Sequence, residues 1–167
     1  MATIVVLNGT SSSGKTAIAR AFQEIAPRVF LNFSIDSILD TLPLSLLDRL
    51  KRGEPADIRD LELVRAFYGC VRELAAQGRD LIIDHAITSE AEVQMLKDAV
   101  ASHRALLVGL ECPVDVLAER ERQRGDRKRG MAAAQSTRIH QWLAYDLMID
   151  TSRVSIEDAA RQILLAL

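Results

Sequence analysis

The chain has 167 residues, a mass of 18.5 kDa and a formal net charge of −2 at pH 7. That length suits one domain with a full core, and a pI near 5.9 gives no general pull toward nucleic acid or anionic membrane. No apolar run approaches the roughly 18 residues of a membrane helix, no basic secretory stretch opens the chain, and Cys70 and Cys112 lack zinc or C-x-x-C spacing, so a cytoplasmic protein with free thiols is expected, with neither nucleic acid nor membrane as a partner.

The first apolar run, Ile4-Val5-Val6-Leu7, is β-branched and predicts a strand. It feeds Gly9-Thr10-Ser11-Ser12-Ser13-Gly14-Lys15-Thr16, which satisfies G-x-x-x-x-G-K-[ST] at every fixed position. Each residue type has its own reason to be there. Gly9 and Gly14 let the backbone bend closely around phosphate oxygens. The residues between them turn successive N–H groups inward as an anion-binding nest. Ala17 to Phe22 continues as a helix whose positive end adds to that nest. Lys15 supplies a compact cation for the β- and γ-phosphates, and the Thr16 hydroxyl can ligate Mg²⁺. A Ser/Gly-rich turn carrying a lysine by accident would need neither the strand before it nor the helix after it. The stretch is read as a nucleotide phosphate site.

Apolar runs then alternate with helical stretches. Val29 to Phe33 predicts a second strand, ending at Ser34-Ile35-Asp36-Ser37. Ile38 to Leu50 is apolar and interrupted by Pro43, so a helix, a turn and a second short helix are expected. Lys51 to Pro55 reads as a loop. A long helix from Asp57 to about Gln77 would bury Leu61, Val64, Ala66, Phe67, Val71 and Leu74, with Gly78 closing it. Asp80 to Asp84 is the third strand. Thr88 or Ser89 caps a helix to about Ser102, with Glu90 and Glu92 in its first turn. Ala105 to Leu110 is the fourth strand, Pro113 opens a helix through Arg124, and Gly125 to Gly130 is a basic loop. Met131 to Trp142 reads as helix, Leu147 to Ile149 as a fifth strand, and Ser155 to Leu167 as a last helix capped by Ser155.

Near-continuous apolar strands alternating with helices predict an α/β domain, a five-stranded parallel sheet covered on both faces. Ligands of such sheets gather at the carboxyl ends of the strands. Gly9, Asp36 and Asp84 are therefore expected around one crevice.

Asp36, just past the second strand, is placed to accept a hydroxyl proton and aim the oxygen at a γ-phosphate. It could equally cap the next helix, a duty open to Ser34 as well. Asp84 follows Leu81-Ile82-Ile83 as a Walker B carboxylate would, holding Mg²⁺, or it is simply a polar strand end. His85, like His103 and His140, reads as a partly satisfied histidine rather than an acid–base group. Six of the 21 basic residues lie between Arg120 and Arg129. Such a run can be a solvated helix face paired with Glu119, Glu121 and Asp126. Its position between Gly125 and Gly130 hinges also suits a lid, about residues 120–131, that brings Arg124 and Arg127 over the phosphates.

These segments together (Gly9–Thr16, Phe33–Ser37, Leu81–Asp84, Arg124-Gly125-Asp126-Arg127, Gly130-Met131-Ala132, Gln135, His140, Tyr145-Asp146 and Asp150-Thr151) resemble chloramphenicol phosphotransferase and its relatives. The match is densest from about Leu107 to Thr151 and thin from Pro43 to Arg79. The resemblance implies a small P-loop kinase of the nucleoside-monophosphate-kinase-like fold that moves the γ-phosphate of ATP to a hydroxyl. It implies Asp36 as the base and places the lid arginines at Arg124–Arg127. His85 stands where the family carries a second acidic residue.

The expectation is an ATP- and Mg²⁺-dependent O-phosphotransferase. Lys15, Asp36, Arg124 and Arg127 would be catalytic, Thr16 and Asp84 would hold the metal, and residues 34–68 would receive a hydroxylated small molecule such as chloramphenicol. A nucleoside, nucleotide or other metabolite kinase of the same fold remains open, as does a non-catalytic nucleotide switch. From Asp36 to Asp48 there is no basic residue, while Ile38, Leu39, Leu42, Leu44, Leu46 and Leu47 are apolar. That favours an uncharged acceptor.

Overall fold

The computed structural model of the chain describes residues 1–52, 54, 60–124 and 130–167. Strands β1 (Thr3–Gly9), β2 (Phe30–Ser34), β3 (Asp80–Asp84), β4 (Arg104–Glu111) and β5 (Leu147–Asp150) form one sheet in the order β2-β3-β1-β4-β5. Every pairing is parallel. All of β1 is buried, as its unalternated apolar run requires.

The described helices are α1 (Lys15–Ile25), α2 (Ile35–Leu39), α3 (Leu44–Lys51), α4 (Asp60–Ala76), α5 (Glu90–Val100), α6 (Val114–Arg124), α7 (Met131–Ser136) and α8 (Ile156–Ala166). Alternation along β1 divides the core into two layers. Ile4 and Val6 pack with Val64, Phe67, Val71 and Leu96 of α4 and α5. Val5 and Leu7 pack with Ile18, Phe22, Ala160 and Ile163 of α1 and α8. Each such apolar side chain contributes roughly 1.5–3 kcal/mol on full burial.

The order of the strands positions the site. From β1 the chain crosses to β2, returns through β3, and then passes to β4 on the other side of β1. The neighbours of β1 are thus reached in opposite directions, and a crevice opens at its carboxyl end.

Several expectations are corrected. Residues lining the buried side of α4 are Val64, Phe67, Tyr68, Val71 and Ala75, with Leu74 partly covered. Ala66 is exposed. It lies two positions from both Val64 and Tyr68, about 200° around the helix, and so faces solvent. Leu61 is 48% exposed, in the first described turn, where Leu63 and Val64 are the residues that face inward. The helix expected from Met131 to Trp142 stops at Ser136. The Ser136 and Thr137 hydroxyls bond back to the Ala133 and Ala134 carbonyls, competing with the helical ladder. The expected helix start at Asp57, together with Pro55 and residues 125–129 of the basic loop, lies outside the described residues. Among the described residues no helix is long and apolar enough to cross a membrane.

Candidate active site

The loop after β1 is shaped by contacts that exclude larger residues. A Cβ at Gly9 would lie 2.7 Å from Ser13 Oγ and 2.8 Å from the Leu110 carbonyl, forcing the loop away from β4. Ser12 (φ 62°) and Gly14 (φ 96°) adopt the left-handed backbone that turns the loop into α1. For Ser12 that conformation costs on the order of 1 kcal/mol or more, a cost typical of ligand-binding turns. The first N–H groups of α1 have no acceptors within the helix. The Ser12 and Ser13 hydroxyls are buried without a partner among the described residues. Unmet donors at the positive end of a helix suit an anion.

Lys15 and Thr16 carry the charge and the hard oxygen of this loop. Lys15 Nζ donates to the carbonyls of Gly9 (2.9 Å) and Thr10 (2.8 Å) and lies 3.8 Å from Asp84 Oδ1. Thr16 Oγ1 donates to Asp84 Oδ2 at 2.8 Å. A hydroxyl and a carboxylate so close fit the oxygen-only coordination of Mg²⁺. This pair arises because Thr16 opens α1 while Asp84 ends β3, the strand beside β1.

One cavity of about 500 Å³ joins these groups to the far wall. Gly14, Lys15, Thr16, Asp84 and Asp36 all line it, with Ile35, Leu39, Leu63 and Val64 as its apolar side. Ser11 and Ser12 line it too, while Thr10 and Ser13 are buried within the loop and Gly9 lies behind it. Ser34 takes the capping duty that was open to Asp36 as well. It is the N-cap of α2, sharing a capping box with Ser37, and Asp36 sits in the first turn with capping left to its neighbour. Arg124 ends α6. Its side chain, and all of Arg127, lie outside the described residues.

Other residues shape the site through contacts that the motifs do not specify. Asn8 is fully buried at the end of β1. Its Nδ2 donates to the Ile139 carbonyl (2.8 Å) and Tyr145 Oη (2.6 Å), and its Oδ1 accepts the Ile87 N–H (2.9 Å). Gln135 Oε1 accepts the Ser11 N–H at 2.7 Å, tying α7 to the loop. Arg120 donates to the Thr151 carbonyl (2.7 Å) and hydroxyl (3.2 Å) and to the Ser12 carbonyl (3.4 Å). It borders a second cavity of about 460 Å³ with Gln123, Val154 and Ile156. Glu121, expected in a solvated charge run, is 4% exposed and accepts the N–H groups of Gly130 and Ala132. Glu119 keeps the surface role, paired with Arg122. A carboxylate within an arginine run signals nothing by itself, so only the fold distinguishes these two.

His85 is also more deeply set than a strand-end histidine need be. It is 4% exposed, with Nδ1 2.9 Å from Tyr68 Oη. Its ring meets Phe67 edge-on, and Phe67 stacks on Phe33. Burial, aided by the Lys15 cation and opposed by Asp36, pushes its pKa down to about 4. Burial, with Glu92 adding to it, raises that of Tyr68.

The chloramphenicol phosphotransferase-like protein family matches residues 2–167. The chain belongs to that family. A Mycobacterium tuberculosis relative named "Putative O-phosphotransferase" is 29% identical over 181 residues, spanning 96% of this chain and 80% of its own length. Among solved structures, a sugar kinase from Janibacter sp. HTCC2649 aligns with a TM-score of 0.75 at 20% identity, covering 99% of this chain and 94% of that one. The Mycobacterium tuberculosis APS kinase, in complex with AMPPNP and APS, aligns with a TM-score of 0.72 at 15% identity, covering 99% and 96%. The family member described here therefore has a P-loop kinase fold, consistent with its strand order and its Gly9–Thr16 loop.

Proposed function

We propose that the protein transfers the γ-phosphoryl group of ATP to a hydroxyl of a small, largely uncharged molecule, with chloramphenicol and related antibiotics as the first acceptors to try. The observation that carries this reading is one cavity lined by Lys15, Thr16 and Asp84 together with Asp36 and the apolar Ile35, Leu39, Leu63 and Val64. Family membership and the kinase folds of the structural neighbours support it.

Lys15 and the N–H groups at the start of α1 hold the phosphates. Thr16 and Asp84 would hold Mg²⁺, which when bound supplies positive charge to the transferring group. Asp36 accepts the proton of the acceptor hydroxyl and aims its oxygen along the line of transfer. Arg124 and Arg127 bring further positive charge and exclude water, which limits hydrolysis. The second cavity, with Arg120, Val154 and Ile156 on its walls, takes the nucleoside end of the donor. An uncharged acceptor is favoured because Lys15 is the one cation among the described residues that line the main cavity.

The test is incubation with ATP, Mg²⁺ and a panel of hydroxylated antibiotics and metabolites, with products read by mass spectrometry. Phosphorylation of at least one uncharged alcohol is expected. Tight ATP binding with no phosphorylated product from any of them would sink the reading.

A further inference from the structure

The acceptor half of the cavity contains a polar side chain that the phosphotransfer reading leaves unused. His85 lines the cavity beside Asp84 and Ala86, as Asp36 does. Tyr68 fixes how its ring is protonated. That phenol is buried, and a buried hydroxyl needs an acceptor for its proton. His85 Nδ1, at 2.9 Å, is that acceptor. Nδ1 then carries no hydrogen, and the ring hydrogen resides on Nε2, at the edge of the imidazole away from Tyr68. Aromatic contacts with Phe67 and Tyr68 keep the ring from turning.

We propose that His85 is a specificity-determining residue: it donates Nε2–H to a neutral oxygen of the acceptor, so that preferred acceptors carry an ether, carbonyl, nitro or second hydroxyl oxygen near the hydroxyl that is phosphorylated. This rests on the phosphotransfer reading above. A neutral oxygen is expected because the acceptor proposed above is uncharged, with Lys15 assigned to the phosphates and Asp36 in the same lining to repel a second anion. A site built to donate a hydrogen bond discriminates against molecules that leave the donor unpaired.

The experiment compares cyclohexylmethanol with its tetrahydropyran counterpart, a pair differing by one ring oxygen, alongside chloramphenicol. Wild type, His85→Leu and His85→Gln are assayed with ATP and Mg²⁺, Gln being the residue whose amide N–H best replaces Nε2–H. His85→Leu should raise KM for the oxygen-bearing alcohol about tenfold, with kcat changed by less than about threefold. Cyclohexylmethanol should be insensitive, and His85→Gln should recover most of the loss. Long-range ¹H–¹⁵N spectra of the labelled wild-type chain read the tautomer directly and, on titration with each alcohol, the contact itself.

An Nδ1–H tautomer, an equal KM rise for both alcohols, or a fall confined to kcat would overturn the assignment. So would His85 resonances that ignore saturating tetrahydropyran alcohol. Should that alcohol shift the His85 resonances while no alcohol is phosphorylated, the phosphotransfer reading fails and the His85 contact stands.

Discussion

The two ends of the crevice are made of different material. Around Gly9–Thr16 the shape is set by backbone: left-handed turns at Ser12 and Gly14, carbonyls that hold Lys15, and N–H groups at the start of α1. Across the cavity it is set by side chains, those of Ile35, Asp36, Leu39, Leu63, Val64 and His85. A backbone cradle recognises phosphate oxygens, which every nucleotide shares. A wall of side chains can be altered one residue at a time without disturbing the sheet. Kinases named for a sugar and for APS share this chain's fold, so the fold by itself names no acceptor.

This division can be tested by removing parts of each end. The largest effect is expected from Lys15→Ala, which should lower phosphorylation of every acceptor about a thousandfold and weaken ATP binding, with an unchanged circular dichroism spectrum. Loss for one acceptor alone would contradict a shared donor end. Asp36→Asn should lower kcat roughly a hundredfold or more while isothermal titration shows ATP affinity within about twofold of wild type. Weakened ATP binding in that variant would mean that Asp36 belongs to the donor side.

Asn8→Ala addresses what joins the two ends. It leaves the Ile87 N–H without its acceptor and removes one of two donors to the Ile139 carbonyl, which keeps Tyr145 Oη, and this should cost about 2 kcal/mol and lower Tm by roughly 4–8 °C. An unchanged melting curve would show that these groups find other partners. The smallest effect concerns pH and lies in the acceptor wall. The unfolded chain protonates His85 near its ordinary 6.5, whereas the folded chain resists until about 4. Between those values the unfolded state binds the extra proton, so stability falls as pH drops from 6.5 toward 4, approaching about 3 kcal/mol, and is unaffected above 6.5. Urea midpoints across that range should show the slope, and His85→Gln should flatten it. Equal slopes in the two proteins would assign it to other groups.

The loop after β1 was legible in the sequence because its determinants are consecutive. Gly9 to Thr16 name the loop, Ile4 to Leu7 the strand that carries it, and Leu81 to Ile83 the strand that ends in Asp84. The sheet was legible for a related reason, since runs buried on both faces lack polar interruptions. Bonds between distant segments were not. Tyr68 meets His85, Gln135 meets Ser11, and Asn8 meets Ile87 and Tyr145, through crossings that no local pattern encodes. Ala66 is apolar and lies close to the buried stripe in sequence, yet a two-residue offset reverses the helix face. The end of α7 was hidden because apolar periodicity carries no sign of the Ser136 and Thr137 hydroxyls that compete for backbone carbonyls.

The central place of β1 has a consequence for how the chain is made. This strand leaves the ribosome before both of its partners, Leu81 to Asp84 and Arg104 to Leu110. Until those segments have been synthesised, Ile4 to Leu7 is an apolar strand with two open edges. Such an order demands long loop closures early and slows folding, and nascent chains ending before β4 are the aggregation-prone species. The strand that carries the nucleotide loop is thus also the segment most in need of protection during synthesis.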